Sequence, residues 1–189
     1  MFDTTAPLTI GLGAKECRVR WPTDREWLAW IDGQRYKVSR RGVKLAHCER
    51  RCEDLFRVIR LDTGPSFSAA EAASVIETLD ASELVRLNRA GAELRVEIAA
   101  LGETTQHLLR LPTVHDLVAH REAVLRVNGA RRNVRSVAPT GALYDHLHLS
   151  HAGYVGAVPL VHKVAIIADV IERISNDPQT FEVHLIGSI

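Results

Sequence analysis

Apolar and basic residues alternate along Cys17–Trp21 (CRVRW), the period-2 pattern of a strand with one buried face. Pro22-Thr23 ends the run, and Thr23 with Glu26 spells T-x-x-E. That is a capping box, in which a hydroxyl and a carboxylate satisfy the first free amides of a helix. The predicted helix runs from Asp24 to about Ile31, with Trp27, Leu28 and Ile31 on one side and Asp32-Gly33 as its stop. The same pattern returns at Leu109–His120. Set side by side, VRWPTDREWLAW and LRLPTVHDLVAH share Arg, Pro, Thr, an acid three residues after the Thr, and Ala, at a constant offset of 90 residues (Val19 to Leu109). Here T-x-x-D (Thr113, Asp116) opens a helix containing Leu117, Val118 and Leu125.

A looser correspondence follows each of these starts. Leu55–Leu61 (LFRVIRL) matches Leu143–Leu149 (LYDHLHL), both read as strands and both followed by a turn with Gly64 or Gly153. Two apolar helices come next, Ala69–Leu79 and Pro159–Ile174, sharing Val-Ile-Glu at Val75–Glu77 and Val170–Glu172. Alternating strands close each set, Glu93–Ile98 and Phe181–Ile186. A long-period repeat takes precedence over any fold assignment. The reading is a duplicated unit of strand, PT-capped helix, strand, apolar helix and strand, with halves at 1–90 and 91–189 that pack closely. A hairpin is expected between Arg86 and Leu111, turning at Gly102–Thr105, and Asn128-Gly129 marks a further turn. The predicted class is α+β with a mainly antiparallel sheet.

Composition narrows the function classes. Apolar residues make up 46% and charged residues 25% of 189 positions, an ordinary globular balance. A net charge of +1 gives no global field toward nucleic acid or membrane, and 5% aromatics leave few stacking platforms. Cys17, Cys48 and Cys52 have no disulfide-framework spacing and read as reduced thiols of an intracellular protein. The opening MFDTTAPLTIGLGAKE lacks the pattern of a secretory signal. Val155–Ile174 is the most apolar stretch, yet it carries His162, Lys163, Asp169, Glu172 and Arg173, which argues against a membrane span.

Three constellations could carry chemistry. His146, His148 and His151 give H-x-H-x-x-H. On a strand the first two share a face, a way to present two imidazoles to a metal. The alternative is a solvated strand face with Leu147 and Leu149 inward; the matching positions in the first half, Val58 and Arg60, favour it. His47, Cys48 and Cys52 form one imperfect H-C-x-x-x-C knuckle, with Cys17 as a third sulfur; free cysteines are the favoured reading. Arg35–Arg60 is the densest basic segment and includes Arg40, Arg41, Lys44, Arg50 and Arg51. Arg131 and Arg132 lie in a smaller cluster at the equivalent place in the second half. Such a patch could neutralise phosphates or dock an acidic protein face. A protein contact is favoured, because no groove-reading motif accompanies the charge. No G-x-S-x-G elbow or phosphate-binding glycine loop is present, since Gly11-Leu12-Gly13 is too short. Tyr144-Asp145-His146, read as consecutive strand residues, cannot converge as a triad.

VRWPTDREW, LLRLPTVHDLVAHREAVLRV and GALYDHLHLSHAGY with VPLVHK resemble a family of small proteins encoded among the structural genes of tailed bacteriophages. The resemblance rests on Arg18–Trp27, Arg110–Arg121, Gly141–Leu147 and Val158–Lys163, and departs at Lys37–Asp54. It implies a non-enzymatic tail or head–tail component, or an assembly helper, located in the virion or in the host cytoplasm during assembly. The partners implied are other virion proteins and copies of itself, with no cofactor. A small metal-dependent enzyme using His146, His148 and His151, and a nucleic-acid-binding module using Arg35–Arg60, are the alternatives.

Overall fold

The computed structural model describes residues 1–32, 35–39, 42–46, 49–128 and 137–176. In chain order these form β1 (Phe2–Asp3), β2 (Leu8–Leu12), β3 (Lys15–Val19), α1 (Asp24–Asp32), β4 (Arg35–Ser39), β5 (Gly42–Ala46), α2 (Glu49–Ile59) and α3 (Ala69–Asp80). The chain continues with β6 (Glu83–Ala90), β7 (Glu93–Ala100), β8 (Glu103–Arg110), α4 (Val114–Asn128), α5 (Ala138–Leu147), β9 (His148–Ala152), β10 (Tyr154–Val155) and α6 (Leu160–Asn176). The fold is α+β. Pairing is antiparallel in the β2–β3 and β4–β5 hairpins and through the four-stranded sheet β6-β7-β8-β9, and parallel only in the short β1–β10 pair.

The expected hairpin is β7–β8, but it reverses earlier than predicted. Leu101 and Gly102 both have positive φ, 50° and 79°, the mirror-image turn whose twist suits the flanking strands. Glu103, Thr104 and Thr105 already pair with Ala100, Ala99 and Ile98. Strand β6 was not expected. Its register slips between Leu84 and Arg86, and a bulge of that kind breaks the alternation by which strands are recognised. The expected strand at Phe181–Ile186 and the turn at Gly129 lie outside the described residues.

Two strand predictions are corrected. Leu55–Ile59 belongs to α2 and Leu143–Leu147 to α5. Cys52, Leu55, Phe56 and Ile59 are all buried, a spacing of i, i+3, i+4 and i+7 that only a helix brings to one face. The short window read as a strand left Cys52 out. Leu143, Tyr144 and Leu147 do the same for α5. Extended backbone resumes only at Arg60, bridged to Val19, and at His148.

Two apolar clusters result. One gathers β2, β3 and α1–α3 around Trp21, Trp27, Phe56, Ile59, Ile76 and Leu79. The other lies between β7–β8 and α5–α6, around Leu94, Val96, Leu109, Leu147, Ile166 and Ile167. Helix α6 serves both, giving Leu160 and Val161 to the first and Ile166, Ile167, Val170 and Ile174 to the second. That double duty explains its length of apolar sequence. No helix among the described residues is long and apolar enough to cross a membrane.

Where α5 meets α6, a Cβ on Gly141 would stand 2.6 Å from Leu160 Cδ1, and Leu160 is itself buried. Gly141→Val is expected to cost roughly 1–3 kcal/mol through overpacking. The thermal midpoint would then fall by about 2–4 °C per kcal/mol in a chain of this size. An unchanged midpoint would mean that the two helices are not held this close.

Candidate functional site

The two PT sequences build the same joint. Arg20 pairs with Glu26 through two hydrogen bonds, Nη2–Oε1 at 2.7 Å and Nη1–Oε2 at 2.9 Å, while Nη1 also donates to the Trp21 carbonyl at 3.0 Å. Glu26 Oε2 accepts from the Thr23 amide and hydroxyl, and Thr23 Oγ1 accepts from the Glu26 amide. In the second joint Arg110 donates to Asp116 at 2.7 and 3.1 Å and to the Leu111 carbonyl at 3.3 Å. Asp116 Oδ2 accepts from the Thr113 amide and hydroxyl, and Thr113 Oγ1 accepts from the Asp116 amide. The third contact recurs as well: Arg20 Nη2 reaches the Val58 carbonyl at 3.5 Å, and Arg110 Nη2 reaches His146 Nε2 at 2.8 Å. Each joint is backed by a returning segment, Val19 against Arg60 and Leu109 against His148.

A guanidinium fork matches a carboxylate in two parallel bonds, which fixes direction as well as distance. Here it clamps the end of a strand to the start of the next helix. Hydrogen bonding to Arg20 holds the Glu26 carboxyl down at about 2 despite partial burial. Hydrogen bonding to Arg110 holds Asp116, only 8% exposed, well below the usual carboxylate range.

Between the two apolar clusters lies a chain of buried histidines and tyrosines. His107 on β8 has Nδ1 2.7 Å from the Tyr144 hydroxyl, and Nε2 3.2 Å from the Tyr154 hydroxyl and 3.3 Å from Thr105 Oγ1. Thr105 Oγ1 donates to Tyr154 Oη at 3.0 Å, and Tyr154 Oη is 2.8 Å from His162 Nδ1 on α6. Phe2 closes the cluster, its ring 5.1 Å from Trp21 and 4.9 Å from His162. Burial, and then the neighbouring His162, His151 and His148, push His107 down to about 3. Burial alone pushes His162 down to about 4. Burial raises Tyr154 to about 12 and Tyr144 further still. Acid–base catalysis favours groups that titrate near the working pH. These imidazoles and phenols are driven away from it in opposite directions, so they stay neutral and joined by hydrogen bonds.

The three histidines of the H-x-H-x-x-H pattern, read as a possible metal site but favoured as a solvated strand face, separate. His146 lies in the last turn of α5, where Nε2 sits 3.1 Å from Asp116 Oδ1 as part of the second joint. His148 and His151 remain together on β9, with Nε2 of one 2.9 Å from Nδ1 of the other. Residues three apart on a flat strand face opposite ways. Here the register slips: His148 pairs with Leu109 but Ser150 with Leu108, so Leu149 is the extra residue. The bulge returns His148 and His151 to one side, with Leu109 and His107 as their partners across the strand pair. It also leaves Leu149 51% exposed, not inward as expected. Asp145 pairs with Lys163 at 2.9 Å. Among the described residues no three His, Cys, Asp or Glu side chains are grouped to hold a metal ion.

The basic segment is partly consumed within the chain. Arg57 pairs with Glu53 and Asp54, and Arg60 pairs with Asp62 while lying over the rings of Phe56 and Phe67. Arg50 and Arg51 are exposed in the first turn of α2. They border a groove of about 440 Å³ between α1 and α2, floored by Ala29, Trp30, Leu55 and Val58. Lys44 lies on β5 opposite Lys37. Arg40, Arg41, Arg131 and Arg132 lie outside the described residues, as do His47 and Cys48. Cys17 and Cys52 are buried; the Cys17 thiol donates to the Ile10 carbonyl, and the Cys52 sulfur accepts from Trp30 Nε1.

Sequence reasoning did not single out His107, Tyr154 or Thr105, and met His162 only as a polar break in Val155–Ile174 and within the VPLVHK run. Their neighbours come from β8, β10 and α6, and no local spacing announces such a meeting. No protein-family model, curated protein or solved structure matches the chain.

Proposed function

We propose that this protein is a non-enzymatic structural or assembly component of a tailed bacteriophage, acting through contacts with copies of itself and with other virion proteins. The observation that carries this reading is where the family-like residues fall. Arg20, Pro22, Thr23 and Glu26 make one joint; Arg110, Pro112, Thr113 and Asp116 make the other. Gly141–Leu147 is α5, and Val158–Lys163 leads into α6 against it. The motifs thus hold elements in place. His107 and His162 are buried and held neutral where they link the two cores through Tyr154.

Duplication suits this role, because two similar half-units (1–90 and 91–189) can offer related contacts from one chain. The recurring joint, with its third contact and returning segment, supports common descent of the halves. The outer strands of the sheet, β6 and β9, and the exposed Arg50 and Arg51 supply the contact surfaces.

Sedimentation velocity of the tag-free chain tests the contact. A species heavier than the 21.0 kDa monomer is expected at micromolar concentration, shifting to monomer in Arg50→Glu/Arg51→Glu. A chain that stays monomeric and is retained on DNA with a steep salt dependence would support the nucleic-acid reading instead.

A further inference from the structure

We infer that His148 and His151 form a binding site for one divalent transition-metal ion of the zinc, nickel or copper class, with imidazole nitrogens as its two protein ligands. The geometry of β9 carries the inference. The bulge at Leu149 places both rings on one side of the strand, and His148 Nε2 lies 2.9 Å from His151 Nδ1. Two ring nitrogens this close either share one N–H or turn both lone pairs to a common cation. With metal–nitrogen bonds of about 2.1 Å, adjacent ligands of a six-coordinate ion stand about 3.0 Å apart. The observed separation fits that arrangement. Imidazole is a ligand suited to zinc, copper and nickel, and not to calcium or magnesium.

The surroundings orient both rings before an ion arrives. Tyr144 is stacked on His148 with centroids 5.2 Å apart, and the His148 imidazole also hydrogen-bonds the main chain at Ser150. His151 is flanked by Tyr154 at 5.7 Å and by His107 at 6.5 Å. Such outer contacts fix ring direction and tautomer in metal sites. His107 takes no part as a ligand, because both its nitrogens face the hydroxyls of Tyr144, Tyr154 and Thr105. His151 is exposed on an outer strand of the sheet, so the remaining coordination positions open to solvent. The site differs from the three-histidine pattern of the sequence: the joint at Asp116 has claimed His146.

The test is a zinc titration of the tag-free full chain in competition with a chromophoric chelator, paired with electron paramagnetic resonance of the copper-loaded chain. One ion per chain and a copper signal split by two imidazole nitrogens are expected. Outer contacts alone are worth about 10–100-fold in affinity, so His148→Ala and His151→Ala should each lose at least about tenfold. His146→Gln should bind as the parent does. His151→Ala alters an exposed side chain, so it remains informative if His148→Ala folds poorly. Absence of saturable binding, or equal binding by the parent and His151→Ala, would overturn the assignment.

Discussion

Asp116→Ala is expected to lower stability by about 3 kcal/mol, the low end of the cost of breaking a buried ion pair. The carboxylate is almost enclosed and serves four groups: the Arg110 fork, the Thr113 amide, the Thr113 hydroxyl and His146. Its loss strands the partly buried Arg110 guanidinium and removes the carboxylate half of the capping box of α4, leaving the Thr113 amide without its acceptor. The first joint gives an internal control. Glu26 makes the same bonds to its arginine and threonine and none to a histidine, and its side chain and that of Arg20 are 23% and 36% exposed, against 7% and 33% for Asp116 and Arg110. Water replaces more of what Glu26→Ala removes, so about half the loss is expected there. Asp116→Asn, which keeps one acceptor for Thr113 but loses the charge and turns the acceptor facing Arg110 Nη2 into a donor, should fall between. Urea denaturation measures all three. Losses within about 0.5 kcal/mol of zero, typical of a neutral surface change, would remove the joints from the account of stability.

Acid should unfold the protein before its carboxylates titrate. An unfolded histidine takes up a proton as pH falls through about 6.5. Folded His107 and His162 resist until about 3 and about 4. Between those limits the unfolded state binds more protons, so stability is full above about pH 6.5 and falls on acidification. Each group contributes about 1.4 kcal/mol per pH unit. From pH 6.5 to 4.5 the two together remove roughly 5 kcal/mol, comparable to the whole stability of a modest domain. His162 Nε2 is buried without a hydrogen-bond partner among the described residues, so a proton there would gain no acceptor. Glu26 and Asp116 add their own losses only below about 4.5, since both have folded values beneath the ordinary range. Thermal midpoints in chelator-containing buffers between pH 7.5 and 4.5 should drop steeply, and His107→Gln should about halve the slope. A midpoint that stays level to pH 4.5 would mean that these imidazoles are not held neutral.

Features written in short local spacings were the legible ones. Thr23 with Glu26 and Thr113 with Asp116 mark helix starts because a capping box needs only three residues of separation. The arginine six residues before each acid was visible as a shared letter, but its role depends on a turn that brings it back. Runs with two possible periods were misread. Leu55–Ile59 alternates well enough for a strand, and only the buried Cys52 one turn earlier makes the helical face evident. Strand β6 escaped because its bulge breaks the alternation. The histidine pattern was legible as spacing, but the geometry of its members was not. A helix end removed His146, and a bulge at Leu149 rejoined His148 with His151. The His107–Tyr154–His162 chain was out of reach, since it exists only once β8, β10 and α6 have met.

The measurement that bears most directly on function is a density-gradient separation of nuclease-treated lysate from phage-producing cells, with this chain quantified in every fraction. The account predicts that it travels with intact particles in a fixed ratio to the capsid protein, or with assembly intermediates. A chain confined to the soluble fractions at every stage of assembly would contradict it.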